Sequence, residues 1–431
     1  MTIRADRRPL SNAALGGGSR PRDARPLRVL YVTESGQLFG SEAYVLNLVR
    51  GFDRTRLIPV VIVGTPGELV DRLQVGGIQT IVIPHGPNAG KQTLWDVIAV
   101  NWRLWRLIQT ECIDVVEANT TAALPFVVWA AKLAGKPLVV RIMMTNWLDL
   151  SVRWLLKFAD VITYESLAVC ASLTQKRRSD LLLRIPTSRM RLIRSTRILT
   201  DWNSQETGEA FRHELGVGAE VPLIGMVAAL SPRKGQATLI RAMPKILEHY
   251  PEAKAVFVGA PYKQREQDFQ YVESLKELAR TLRIDHAVVF MGFRSDIPQI
   301  LPALNVAILL STREAAGSVL IEYMICRRPI VAAHTEGIPE TVGEEGAAFL
   351  VPPDDFAQAA EAIVRILRDP ALAARMGAIG RQRAEERFSA SVVGQECERL
   401  YRELLYRQRP GLREPEGALP RRKHVGREVV T

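Results

Sequence analysis

NVAILLSTREAAGSVLIE (305–322) reads as an apolar run, a short polar turn and the opening of a helix. The run from Val306 to Leu310 is almost continuously aliphatic, the pattern of a strand covered on both faces rather than on one. The same succession repeats outward in both directions. VPLIGMVAAL (221–230), AKAVFVGA (253–260) and AVVFMGF (287–293) precede it, and PIVAAH (329–334) follows. Further back stand RVLYVTES (28–35), IPVVIVG (58–64), TIVIP (80–84), DVVEA (114–118), PLVVRIM (137–143) and DVITYE (160–165). The segments between them have helical spacing, as in Val45, Leu48, Val49 and Phe52. Apolar strands joined by helices predict parallel sheets with helices on both faces. The alternation falters at 184–220, where Pro186, Thr187, Ser188, Asn203, Ser204, Gly208, Gly216 and Gly218 gather. The expected fold is therefore α/β, two doubly wound domains in tandem with a cleft between them.

The 431 residues are enough for two or three domains, each with a full core. Ordinary apolar content (47%) excludes collagen-like and largely disordered chains. No apolar run reaches the length of a membrane span, and the arginines of the N-terminus have no apolar stretch behind them, which argues against a secretory signal. Cys112, Cys170, Cys326 and Cys397 are far apart and read as reduced thiols, which points to a cytoplasmic protein. The net charge of +11 is unevenly placed: residues 1–26 carry +4 and 409–431 carry +3, leaving +4 for 27–408. Both ends are rich in Gly, Pro and Arg without hydrophobic period and are expected to be disordered basic tails. The body has no charge signature of a nucleic-acid protein. The expected layout is a tail (1–26), an N-terminal domain (27–200), a linker (201–220), a C-terminal domain (221–390), a last helix (391–408) and a second tail (409–431).

In tandem doubly wound domains, ligands sit beyond the carboxyl ends of the strands, so the strand-to-helix turns are the places to search. Gly36-Gln37-Leu38-Phe39-Gly40-Ser41-Glu42 offers a close backbone approach at Gly40 and a helix N-cap at Ser41. Ser231-Pro232-Arg233-Lys234-Gly235 puts Lys234 at a helix start, where the dipole disfavours a cation unless an anion such as a diphosphate joins it. A solvated loop lysine is the equal alternative. Glu314 ends the third turn, and Glu322 lies one helical turn in, on the face of Ser318. The backbone N–H groups of residues 315–318 are free to face the cleft there.

The ordered set Lys234-Gly235, Gly292-Phe293, Glu314…Glu322, Pro329-Ile330-Val331 and Glu336-Gly337-Ile338-Pro339-Glu340 resembles glycosyltransferase family four. The resemblance covers most of 27–408 and is densest from 222 to 390. It implies the GT-B fold, two facing Rossmann-like domains with the last helix (391–408) bracing the first through Leu400, Leu404 and Leu405. It also implies a retaining transfer from a nucleotide sugar, a UDP-sugar foremost, to a lipid-linked or polysaccharide acceptor without a cofactor; the six histidines are scattered with no Asp/Glu/His cluster at metal-ligand spacing, so no metal is expected. It further implies that Lys234 binds the donor diphosphate and Glu322 the ribose. Glu314 and the amides of Ala316, Gly317 and Ser318 would meet the sugar and phosphates. Phe293 and Arg233 complete the donor set, and Gly40 belongs to a loop closing over the donor. Several positions depart from the family: Ala229 and Phe39 stand where an arginine and a glycine are usual, Arg327-Arg328 precedes Pro329, Arg194-Ser195-Thr196 replaces a Pro-Asn-Gly turn, and the stretch from Met143 to Asn146 lacks a histidine. Arg233, Arg194 or Arg197 are the candidates to restore the missing charge. The departures support a second reading, a degenerate relative that binds a nucleotide sugar or a partner without turnover. A sugar-nucleotide epimerase is the third.

Two surfaces stand outside that set. Lys176, Arg177, Arg178, Arg184, Arg189, Arg191, Arg194 and Arg197 face only Asp180; they read as a solvated face or as a surface for anionic lipid or a diphosphate-bearing acceptor. Trp102, Arg103, Trp105 and Arg106, with Trp147, Arg153, Trp154 and Lys157, combine aromatic and basic residues. That mixture suits both ordinary packing under snorkelling arginines and an anionic membrane surface, which would make the protein peripheral at the inner face of the membrane.

Overall fold

The computed structural model describes residues 25–38, 40–90, 92–143, 150–174, 186–202, 208–261 and 266–407. Most of both expected tails, Phe39, the stretch from Met144 to Trp147 and the basic residues 176–184 lie outside the described residues.

The first sheet comprises β1 (Leu27–Thr33), β2 (Leu57–Val63), β3 (Gln79–Val82), β4 (Val115–Ala118), β5 (Leu138–Ile142), β6 (Val161–Tyr164) and β7 (Met190–Leu192). They lie side by side in the order β3-β2-β1-β4-β5-β6-β7, every pairing parallel. The second comprises β8 (Leu223–Val227), β9 (Lys254–Val258), β10 (Val288–Phe290), β11 (Val306–Leu309), β12 (Ile330–Ala333) and β13 (Ala348–Val351), ordered β10-β9-β8-β11-β12-β13, again all parallel. Side chains along β1 alternate between two cores: Leu30 and Val32 enter one, Val29 and Tyr31 the other. That is the period of two that a strand imposes, with helices sealing each face. Two strands escaped the sequence reading: β7 lies where the alternation falters, and β13 is the edge beyond the last quoted run.

Two expected boundaries and the reading of one basic stretch need correction. Arg25 is already part of the fold, because its guanidinium donates to Asp114 at 2.5 and 2.9 Å and the same carboxylate accepts the N–H of Arg28 at 2.9 Å. The linker 201–220 contains the helix Glu209–Glu214, with Phe211 buried in the second domain and Arg212 donating to the Ala303 carbonyl and Asn305. Of the basic stretch, Arg189 and Arg191 are spent on backbone carbonyls around β7, and Arg197 enters the cleft described below.

Both crossings between the domains meet at one place. Arg197, leaving the first domain, donates its N–H to the Phe388 carbonyl at 2.9 Å and accepts the N–H of Ala390 at 3.0 Å. The long helix Pro370–Phe388 ends there in an extended Ser389, and the helix Ala390–Arg407 turns back onto the first domain. Val393, Cys397, Leu400, Tyr401 and Leu404 enter that domain's core, so the bracing helix expected at 391–408 is present.

Candidate functional site

Each sheet reverses its winding beside its first strand, between β1 and β4 and between β8 and β11. At such a switch point the helices diverge and leave a crevice at the carboxyl ends of the strands. In the second domain this sets the turns after β8 and β11 side by side. Thr312 donates its N–H to the Arg233 carbonyl at 2.9 Å, and the Arg233 guanidinium donates to the Arg313 carbonyl at 2.7 Å.

Lys234 ends a short 3-10 turn (Pro232–Lys234), one residue before the N-cap of the helix Gln236–Leu247. Its ammonium donates to Glu314, whose same oxygen accepts the Ser311 hydroxyl at 3.2 Å and stands 3.8 Å from the Arg233 guanidinium. The anion that the dipole argument requires beside Lys234 is thus supplied by the protein itself. Gly235 permits this packing: it adopts φ +78, and a Cβ would overlap the Leu310 carbonyl oxygen. Gly235→Ala therefore combines left-handed strain with a backbone clash, an expected loss of about 2–4 kcal/mol. Urea unfolding checks it; an unchanged midpoint would show that the turn has room.

Gly317 caps the helix Ser318–Ile325. In the loop before it, the carbonyls of Ala315 and Ala316 accept the hydroxyls of Ser166 and Thr341. The amides of residues 315–318 donate no hydrogen bond among the described residues. Glu322 receives the Arg197 guanidinium at 2.9 and 2.8 Å. Burial pushes the Glu322 carboxyl up from its ordinary range, and Arg197 pulls it back. Of the three arginines proposed to restore charge, Arg197 and Arg233 reach these acids.

The first domain closes on this loop. Glu340 accepts the N–H groups of Leu167 at 2.9 Å and Ala168 at 3.3 Å, capping the helix Leu167–Thr174 from across the cleft. Gly337 leaves no room for a side chain against the Ala315 carbonyl and the Ser166 hydroxyl. Sequence reasoning missed Ser166 and the capping role of Glu340, since neither carries a local signal of a partner in the other domain.

Gly40 opens the helix Gly40–Arg50 and is exposed. Ser41 is not the N-cap: the helix begins one residue earlier, and the Ser41 hydroxyl donates to Glu42 at 2.7 Å. Nearby, Thr120 donates to Glu34 at 2.5 Å and Asn119 to the Ser41 carbonyl at 3.0 Å, joining the two sides of the first domain's crevice. Phe293 is 76% exposed beyond β10, the edge strand, and the sheet order sets it apart from the Lys234–Glu314 pair. The structure thus brings Arg233, Lys234, Glu314 and the 315–318 loop together, joins Glu322 to Arg197, and leaves Gly40 and Phe293 outside that cluster. Among the described residues, no three His, Cys, Asp or Glu side chains are grouped to hold a metal.

Known proteins resemble this chain across both domains. A family model described as "Glycosyl transferase 4-like domain" matches residues 39–193, and one described as "Glycosyl transferases group 1" matches 208–383. A GDP-mannose-dependent monoacylated alpha-(1-6)-phosphatidylinositol monomannoside mannosyltransferase of Corynebacterium glutamicum is 31% identical over 199 residues, 44% of this chain and 49% of that protein. The chain spans about half the length of the first curated relatives it matches. HepE of Anabaena, solved in complex with UDP-glucose, superposes with TM-score 0.72 at 25% identity, covering 88% of this chain and 100% of that one. A glycosyltransferase from Rickettsia africae superposes with TM-score 0.75 at 18% identity, covering 88% and 99%, and supports the fold alone.

Proposed function

This chain belongs to glycosyltransferase family four and has its GT-B fold, and from that premise we propose that it moves a sugar from a nucleotide donor, a UDP-sugar, to a lipid-linked or polysaccharide acceptor. The observation that carries the reading is the meeting of Lys234, Glu314 and the unspent amides of 315–318 at the switch point of the second domain. Cleaving a sugar–diphosphate bond develops negative charge on the leaving phosphate. Lys234 and the N-terminus of the helix Ser318–Ile325 answer that charge electrostatically, so the proposed reaction uses no metal. On donor binding, Lys234 exchanges the Glu314 carboxylate for the diphosphate, and Glu314 becomes free to accept hydrogen bonds from the sugar. The acceptor hydroxyl attacks on the face from which the nucleotide leaves, a donor phosphate oxygen takes its proton, and the anomeric configuration is retained. The proposed setting is cytoplasmic, where nucleotide sugars are available.

The second reading, a binding protein without turnover, draws on the self-pairing of the site: Glu314 already neutralises Lys234, and Arg197 already occupies Glu322. A thermal-shift series with UDP, GDP, ADP and their sugars begins the test. A ligand at a hundredfold excess over its Kd adds about 2.7 kcal/mol to stability. We expect one nucleotide series to raise Tm by several degrees and Glu322→Ala to abolish the rise. A shift without transfer to any acceptor, and without slow donor hydrolysis, would favour the binding protein. The absence of any shift would make the binding protein the better reading, with a partner in place of a nucleotide.

A further inference from the structure

The helix Leu94–Thr110 carries two apolar faces. Val100, Leu104 and Ile108 are buried against the first sheet, as one face of a surface helix should be. Yet Leu94 (74% exposed), Ile98 (49%), Trp102 (56%) and Trp105 (37%) form a second stripe on the solvent side. At 3.6 residues per turn these four fall within an arc of about 80°, with Trp95 just beside them. The neighbouring helices extend the surface. Trp129 and Trp154, ring centroids 6.3 Å apart, are both part-exposed, and Leu133 is 76% exposed. A soluble surface rarely leaves so many large apolar side chains together without a partner.

Asp96, exposed in the first turn on the side of Arg103, spends its carboxylate on the N–H and hydroxyl of Thr93, and the remaining charged side chains of this helix are basic. Arg103 and Arg106 flank the stripe on the same helix, Lys136 and Lys157 follow the tryptophan-bearing helices Val128–Leu133 and Leu150–Leu156, and none of the four has a carboxylate partner among the described residues. Arg106 lies over the Trp102 ring, 5.8 Å from its centroid. Lys132, by contrast, is paired with Asp160 at 2.7 Å. Tryptophans among unpaired Arg and Lys fit the headgroup layer of a bilayer, where rings enter the acyl boundary and cations meet lipid phosphates. A protein interface also favours Trp and Arg but is depleted in lysine, so Lys136 and Lys157 turn the choice toward lipid. The helix also follows β3, so its Leu94 end lies on the side of the carboxyl ends of the strands, where the first domain opens to the cleft.

We propose that this face, centred on Leu94, Ile98, Trp102 and Trp105 and flanked by Arg103 and Arg106, docks the protein on an anionic bilayer with the cleft opening beside the lipid surface. The inference rests on the transferase reading for its purpose, since it names the place where a lipid-linked acceptor is met, and its test is independent of transfer.

The test is flotation of the full chain with phosphatidylcholine vesicles, with and without phosphatidylglycerol, read alongside the nucleotide thermal shift. The parent floats with the anionic vesicles only. Trp102→Ser with Trp105→Ser abolishes flotation. Arg103→Gln with Arg106→Gln weakens partition about thirtyfold, from about fivefold per cation, and touches only exposed side chains, so it reports even if the tryptophan pair fails to fold. Both variants keep the parent's nucleotide shift, so loss of that shift in the parent would count against the transferase reading and not against the docking face. Three results would overturn the proposal: no flotation on anionic vesicles; equal flotation of parent and variants, which would assign binding to the basic termini or another face; or self-association in sedimentation that the tryptophan variant abolishes while lipid binding is absent, which would make the stripe an interface between copies.

Discussion

Lys234→Ala lowers kcat/KM by about 10²–10³ while the protein stays folded, the loss seen when a single preorganised donor to a developing oxyanion is removed. The size of the structural side effect decides whether that measurement can be read. Lys234 and Glu314 are both largely buried, with side chains 16% and 13% exposed, and breaking a buried pair typically costs about 3–5 kcal/mol because a charge is left alone. Here Glu314 is not left alone: Ser311 still donates to it, and the Arg233 guanidinium stands 3.8 Å away. The expected stability loss is accordingly about 1–2 kcal/mol, nearer an exposed pair than a buried one. Steady-state kinetics with the nucleotide sugar found by thermal shift, paired with a melt of each variant, separates the two. If Lys234→Ala turned over within a few-fold of the parent, Lys234 would be a structural partner of Glu314 and nothing more.

Arg141→Met lowers stability by about 3–5 kcal/mol at neutral pH, the largest loss expected from one residue outside the cleft. Arg141 is a fully buried side chain on β5, lying over the Tyr44 ring at 3.5 Å and donating to the Ile193 carbonyl at 3.1 Å. Around it are Glu117, which accepts the Tyr401 hydroxyl at 2.6 Å, and Glu165, which accepts the Ser195 hydroxyl at 2.7 Å. Burial pushes both carboxyls up, and the Arg141 charge is among the influences that pull them back. A carboxyl whose folded pKa is raised favours the fold most below its unfolded pKa, about 4.5, and loses that contribution as pH rises through the folded value. Without Arg141 the folded values rise further, so the penalty develops above pH 4.5 and is largest in mildly alkaline solution. Urea unfolding at pH 5 and pH 8 should show a smaller deficit at the lower pH. Equal deficits at both would mean that the cost is lost packing and not charge.

The alternation of apolar strands and helices was enough to read the two domains, their parallel sheets and eleven of the strands, because a strand buried on both faces leaves an unmistakable aliphatic run. β7 and β13 escaped for their own sequences: MRL is three residues with Arg191 at its centre and AFLV is short and partly exposed, whereas the edge strands β3 and β10 stayed legible through the apolar runs TIVIP and AVVF. At the site, Lys234, Glu314 and Glu322 were legible from turns at strand ends. Their pairing was not, since Lys234 with Glu314 and Arg197 with Glu322 are contacts between distant turns that only the sheet order brings about. Ser41 misled for a local reason: a hydroxyl at a helix start normally caps the backbone, but here the buried Glu42 competes for it. The buried ionic group did have a signal that went unread. Glu117 and Arg141 each interrupt an otherwise aliphatic strand, DVVEA and PLVVRIM, and a charge in such a run requires an inward partner.

The return of the helix Ala390–Arg407 onto the first domain ties that domain's completion to the order of synthesis. β7 ends at Leu192, yet Tyr401, which donates to the buried Glu117 and shares a 2.6 Å hydrogen bond with Tyr31, is made some two hundred residues later. At roughly 5–20 residues per second, a nascent first domain waits on the order of ten to forty seconds with part of one apolar face uncovered and Glu117 lacking its tyrosine donor. During that interval the second domain can assemble from local contacts, since its sheet and flanking helices come from one continuous stretch of chain. The half of the molecule translated first is thus the half completed last, and its open face is the surface that a nascent-chain chaperone would meet.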